Sequence, residues 1–198
     1  MKIILASASP RRQELLKHIF EDFTVHTSTC EENSEFHTPS EYVTDLAFQK
    51  ADDVAGHYLH SSADFTPEDF LIIGADTIVC CDDRILGKPS DHNDAHQMLT
   101  LLSGRAHEVY TGISIIHIHG NTKTSYTACE CTHVHVDELS QEEITFYLDT
   151  DEPYDKAGGY AIQGYFSRHI SFIEGDYFNV VGLPIHKLYE LLKTHQLI

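Results

Sequence analysis

The stretch that decides the fold is Phe70-Leu71-Ile72-Ile73-Gly74-Ala75-Asp76-Thr77-Ile78-Val79-Cys80. It is an apolar run of strand length, rich in β-branched residues, and it reads as a strand buried on both faces. A carboxylate inside such a run is costly unless it is paired, hydrogen-bonded or bound to a metal. Asp76 therefore reads as a metal ligand, a general base, or a side chain capping a turn at the strand end.

Around this strand, helices and further strands interleave. Lys2–Ala6 reads as a short buried strand and Pro10–Ile19 as a helix, with Ser9 as N-cap and Pro10 at the first helical position. Phe23–Thr27 reads as a weak strand. Thr38-Pro39-Ser40-Glu41 opens a second helix running to about His57, with Val43, Leu46, Ala47, Lys50, Ala51 and Val54 along one side. His60–Asp69 reads as a polar loop. Asp91–Leu102 is a helix with Ala95, Met98, Leu99 and Leu102 inward. Val109–His119 and Lys123–Val136 form a hairpin about Gly120-Asn121. Ser140-Gln141-Glu142-Glu143 is a capping box. Asp149–Tyr165 reads as loop with at most a short strand, and Pro184–His195 as a closing amphipathic helix. The order predicts an α/β domain with a mixed sheet, arranged as two lobes around a cleft and spanning 1–198 as a single domain.

The chain has 198 residues, 41 % of them hydrophobic and 22 % charged, an ordinary globular composition. Its 31 acidic and 13 basic side chains leave a formal net charge of -18. That balance argues against nucleic acid and anionic membranes as partners, because both need a broad basic face. No apolar run is long enough to span a bilayer, and nothing resembles a signal peptide, so a cytoplasmic protein is expected. The acid is concentrated in 30–70 and 106–150. Five cysteines cannot all pair within one chain, and reduced thiols are the simpler reading. Cys129, Cys131, His133 and His135 would share one face of a strand. Neighbours two apart lie about 7 Å from each other, too far to complete a tetrahedral site unaided, although His117 and His119 on the preceding strand could approach. A structural or surface role and a metal site both stay open for this group.

Ser7, Ser9, Arg11 and Arg12 flank the first helix start, where free N–H groups, hydroxyls and guanidinium groups together suit an oxyanion such as phosphate. A capped helix with a solvated first turn is the alternative. The loop is not a Walker A sequence. Lys50, Lys88 and Lys156 are isolated cations, readable either as salt-bridge partners or, with Arg11 and Arg12, as contacts for a polyphosphate. Glu31, Glu32 and Asp76 offer oxygen ligands of the kind Mg²⁺ prefers. Gln163, between glycine-rich flanks, could read a base through its amide or simply occupy a tight turn.

Several long blocks in order then resemble the Maf family, described as septum formation inhibitor Maf-like proteins. They are Leu5-Ala6-Ser7-Ala8-Ser9-Pro10-Arg11-Arg12-Gln13-Glu14-Leu15-Leu16, Gly74-Ala75-Asp76-Thr77-Ile78-Val79, Gly87-Lys88-Pro89, and Leu102-Ser103-Gly104-Arg105 through Gly112. Asp155-Lys156-Ala157-Gly158-Gly159-Tyr160-Ala161-Ile162-Gln163-Gly164 and Asn179-Val180-Val181-Gly182-Leu183-Pro184 complete the set. The resemblance covers about residues 2–192. It implies a fold similar to inosine triphosphate pyrophosphatases and a nucleoside triphosphate pyrophosphatase that yields the monophosphate and pyrophosphate.

By the same resemblance Asp76 is the general base, assisted by Glu32, Lys50 and Lys88. Asp76 and Glu32 hold a divalent cation, Mg²⁺ or Mn²⁺. Ser7, Arg11, Arg12, Thr77 and Gln163 contact substrate. Thr77 with Ile162-Gln163-Gly164 looks like the branch acting on dTTP and UTP rather than the branch for 7-methyl-GTP. Tyr165-Phe166 and Cys30 depart from the usual pattern, at positions bearing on substrate range. A homodimer is implied. A housecleaning pyrophosphatase for modified nucleotides and a regulatory inhibitor of septum formation are the competing readings.

Overall fold

The computed structural model describes residues 1–59 and 69–198. All but the last residue of the polar loop expected over 60–69 therefore lies outside the described residues. Asp69 belongs to a strand.

In chain order the elements are β1 (Lys2–Leu5), α1 (Pro10–Leu16), β2 (Thr24–Val25), α2 (Pro39–Leu59), β3 (Asp69–Cys81), β4 (Arg84–Leu86), α3 (His92–Leu102), β5 (Ala106–His119), β6 (Thr122–Val136) and α4 (Gln141–Leu148). Three short 3₁₀ turns follow between Pro153 and His169, then β7 (Ile170–Glu174), α5 (Tyr177–Val181) and α6 (Ile185–Thr194). The strands form a mixed sheet of order β2-β1-β3-β5-β6-β7, with β4 paired to β3. β1 runs parallel to both β2 and β3, with Leu5 opposite Ile73. β7 is antiparallel to β6. The expected α/β mixed-sheet class is the one found.

Local chemistry accounts for the starts of α1, α2 and α4. The Ser9 hydroxyl accepts from the Arg12 N–H at 3.4 Å, and Pro10 stands at the first helical position. α1 ends at Leu16 rather than Ile19; the last turn continues as single hydrogen bonds from His18 and Ile19. Thr38 caps α2, accepting from the Glu41 N–H at 3.4 Å. The box at α4 is closed both ways, Ser140 N–H to Glu143 at 2.8 Å and Glu143 N–H to Ser140 at 3.2 Å. β7 is an element the sequence did not declare. Its five residues alternate no apolar pattern, and three of them are exposed, so its place comes from pairing with β6 rather than from burial.

Cα packing divides the chain into two units. The first comprises Met1–Asp76, Thr111–Glu130 and Gly182–Ile198. One core cluster there joins Ile4, Ala6, Ala51, Val54, Ala55, Phe70, Ile72, Ile116 and Ile118. Two glycines let α2 settle against the strands. A Cβ on Gly74 would collide with the Ala47 carbonyl and come within 3.0 Å of the Ala51 methyl; one on Gly112 would strike the backbone of Val43 and Thr44. Bare backbone at both points is what admits so close a helix.

The second unit comprises Thr77–Tyr110 and Cys131–Val181. Its interior holds hydrogen-bonded polar side chains. His107 Nε2 meets the Tyr160 hydroxyl at 2.7 Å. The Asn179 amide donates to the Val109 carbonyl and to Thr132 Oγ1, both at 2.9 Å. All five cysteines are reduced, with none in a disulfide. Among the described residues no helix is long and apolar enough to cross a membrane.

Candidate active site

In the first unit, three of the residues singled out in the sequence meet. Lys50 descends from the inner side of α2, where the glycine contacts place it, and its ammonium lies 2.6 Å from Asp76 Oδ1 and 3.0 Å from Glu32 Oε1. The Lys50 and Asp76 side chains are 13 % and 11 % exposed, whereas that of Glu32 is half-exposed at 52 %. The costly carboxylate in the apolar strand is thus a paired one, and its pairing opens toward solvent on the Glu32 side.

Arg12 stands in the same electrostatic neighbourhood. Its Nε donates to the Gly182 carbonyl at 2.8 Å, and a terminal nitrogen donates to Ser7 Oγ at 3.3 Å. Burial pulls the guanidinium pKa down, and the charge of Asp76, the next largest influence, pushes it back up, with Glu32 adding to the same side and Arg11 opposing. Arg12 stays charged regardless, since a guanidinium is not deprotonated in proteins. Ser7 is buried and Arg11 half-buried, so both sit on the strand-to-helix corner anticipated for an anion. Gly182, from the closing motif, has φ +126°, a conformation glycine takes without strain; its carbonyl holds Arg12 in place.

Thr77, Lys88 and Gln163 belong to the second unit. Thr77 is half-buried on β3, Lys88 is exposed in the turn after β4, and Gln163 is exposed in the turn before the last 3₁₀ segment. Lys156 pairs with the neighbouring Asp155. In the same motif, Gly158 is the residue that needs bare backbone: it has φ +69°, and a Cβ would lie 2.9 Å from Val79 Cγ2.

Asp76 and Glu32 are the carboxylates that the resemblance assigns to a cation. Asp76 and Glu32 converge on one ammonium, so their oxygens can converge on a divalent ion, and Mg²⁺ characteristically takes one or two carboxylates together with substrate phosphates.

A different group emerges where the sequence was ambiguous. His117 and His119 do not gather with Cys129 and Cys131; they turn to Asp69, whose Oδ1 lies 2.6 Å from His119 Nδ1 and 3.4 Å from His117 Nε2. His133 instead faces Glu108 at 3.4 Å, and the His135 ring lies against Phe172. The signal that could have found the trio is His117-x-His119 on a strand adjacent to β3, with the acid at the first residue of that strand.

The sheet and its flanking helices define a mixed α/β class, and comparison with known proteins gives the family. The chain belongs to the Maf family: the match to the family described as Maf-like protein runs over residues 2–195. It is 51 % identical over 195 residues to a dTTP/UTP pyrophosphatase of Thermoanaerobacter sp. (strain X514), covering 98 % of this chain and 96 % of the relative. It is 47 % identical over 197 residues to a dTTP/UTP pyrophosphatase of Agathobacter rectalis, covering 97 % and 96 %. To a dTTP/UTP pyrophosphatase of Bacillus cereus (strain ATCC 14579) it is 48 % identical over 193 residues, covering 97 % and 94 %. Among solved structures, a HAM1 protein from Coxiella burnetii superposes with a TM-score of 0.52 at 13 % identity, covering 98 % of this chain and 99 % of that one. That likeness concerns the fold.

Proposed function

We propose that this protein hydrolyses dTTP and UTP to the monophosphate and pyrophosphate, with a divalent cation and with Asp76 as general base. The observation that carries the reading is the Lys50–Asp76–Glu32 group, in which a carboxylate on an apolar strand is held by a largely buried ammonium that also meets a half-exposed second acid. Structural needs alone would be met more cheaply by apolar residues there. The relatives' names supply the substrate class.

In this reading Asp76 orients a water and takes its proton as the oxygen attacks the α-phosphorus. Lys50 stabilises the negative charge that accumulates on the phosphate oxygens, and Arg12, already fixed by Gly182 and Ser7, does the same without reorganising. Arg11 adds positive charge, and the resemblance assigns Lys88, Thr77 and Gln163 to substrate contact as well. A divalent cation bound by Asp76 and Glu32 would supply polarisation of the phosphate and a more acidic water. The bond broken is that between the α-phosphorus and the bridging oxygen, and pyrophosphate leaves with that oxygen.

The test is product analysis after incubation with a panel of canonical and modified nucleoside triphosphates in Mg²⁺ or Mn²⁺. UMP and dTMP with equimolar pyrophosphate are expected from UTP and dTTP. UDP with inorganic phosphate overturns the bond assignment, and a clear preference for modified nucleotides overturns the substrate assignment.

A further inference from the structure

We propose that Asp69, His117 and His119 form a second metal site that takes a zinc-class transition ion and is separate in chemistry from the Asp76–Glu32 pair. His117 and His119 alternate on β5 and so project to the same side of the sheet. Their flanking residues Ile116 and Ile118 are buried in the core cluster on the opposite side. Asp69 opens β3, the strand next to β5 in the sheet. Its next residue, Phe70, belongs to that same core cluster, so the acid shares the outer side with the imidazoles. The strand pairing itself therefore assembles the trio.

The geometry is close to what an ion requires. One ligand atom from each residue lies within 4.8 Å of the other two. Ligands held tetrahedrally at zinc distances of about 2.0–2.1 Å stand about 3.3 Å from one another. His117 Nε2 is already 3.4 Å from Asp69 Oδ1. His119 Nδ1, at 2.6 Å, is hydrogen-bonded. Metal binding expels the shared proton and lets that contact open. Two imidazoles and one carboxylate favour Zn²⁺, Co²⁺ or Ni²⁺ over Mg²⁺, which prefers oxygen ligands. With His117 half-buried and His119 at 71 % exposure, solvent can fill the remaining coordination positions. The site can exchange its ion without unfolding the sheet.

The test is competition between the full chain and a chromogenic zinc indicator in excess Mg²⁺, which occupies oxygen-ligand sites. Wild type is expected to hold one tight Zn²⁺ equivalent that His119→Gln and Asp69→Asn both lose. The affinity should fall by more than the roughly 10–100-fold seen when only an outer hydrogen-bond partner of a ligand is removed. His119 is exposed, so its variant keeps the fold, and its Mg²⁺-dependent turnover of UTP should equal wild type. His57→Gln removes another close imidazole pair among the described residues of this unit, His26 and His57, whose centroids are 4.9 Å apart; it should keep the equivalent. Equal zinc binding by wild type and His119→Gln overturns the proposal, as does loss of the equivalent on His57→Gln. The readout is binding, so it stands or falls independently of the pyrophosphatase assignment.

Discussion

In the first unit Asp76 is buried to 11 % side-chain exposure and is met by an ammonium and a second carboxylate. In the second unit His107 is buried to 2 % and meets a phenol. Both are polar groups set among apolar neighbours, but one is held by an ammonium and the other by a phenol hydroxyl. Desolvation, the larger cause, and the nearby His135 push the His107 pKa down to about 4, so the ring is neutral at pH 7. Burial raises the partner Tyr160 well above the ordinary phenol value, and that hydroxyl is neutral too. A neutral pair is the economical way to pack polar atoms inside a domain, whereas a retained cluster of charges marks a place where charge is used. The contrast separates a scaffold element from a candidate reaction centre without appeal to position in the chain.

The contrast breaks most visibly at Lys50. Lys50→Met keeps the bulk and removes the ammonium; we expect kcat/KM for UTP to fall about 100- to 1000-fold, the usual cost of losing one charge-stabilising donor. A loss of less than tenfold in steady-state kinetics would make Lys50 structural, like His107.

The neutral side is sharpened by pH. Because the folded pKa of His107 lies below the ordinary 6.5, the unfolded chain binds more protons between those values. The stability that neutral burial represents is therefore complete above about pH 6.5 and is lost progressively as pH falls toward 4. The separation corresponds to about 3 kcal/mol. In urea titrations across that range, His107→Phe should flatten the acid-side decline by an amount of that order, with UTP turnover at pH 7 little changed. An unchanged slope would show that His107 is not the group responsible.

A smaller effect links packing to the charged group. Gly74→Ala forces α2 away from β3 and should cost about 1–3 kcal/mol in denaturant unfolding, the range for overpacking. It should also lower kcat, since α2 carries Lys50. Stability loss with unaltered kcat would separate the helix contact from the site.

Much of this was legible in the sequence because the signals are local. Ser9-Pro10, Thr38-Pro39 and Ser140 with Glu143 declare helix starts through side chains that cap them, and the apolar run at 70–80 declares the central strand. Asp76 stood out because burial of a carboxylate is expensive anywhere. What was hidden depends on contacts between distant segments. The close approach of α2 at Gly74 and Gly112 leaves no periodic trace, and β7 is an exposed edge strand with no apolar alternation. Asp69 looked like the end of a polar loop, because nothing local reveals that His117 and His119 would be aligned beside it.

The most direct test of the central claim is pyrophosphate release from UTP by wild type and Asp76→Asn under identical Mg²⁺ conditions. The Asn side chain keeps the shape of the carboxylate but cannot take a proton from water. The account predicts a fall of about 100- to 10,000-fold in kcat, the range for loss of a general base, in a protein that still folds. Undiminished turnover by Asp76→Asn would contradict it.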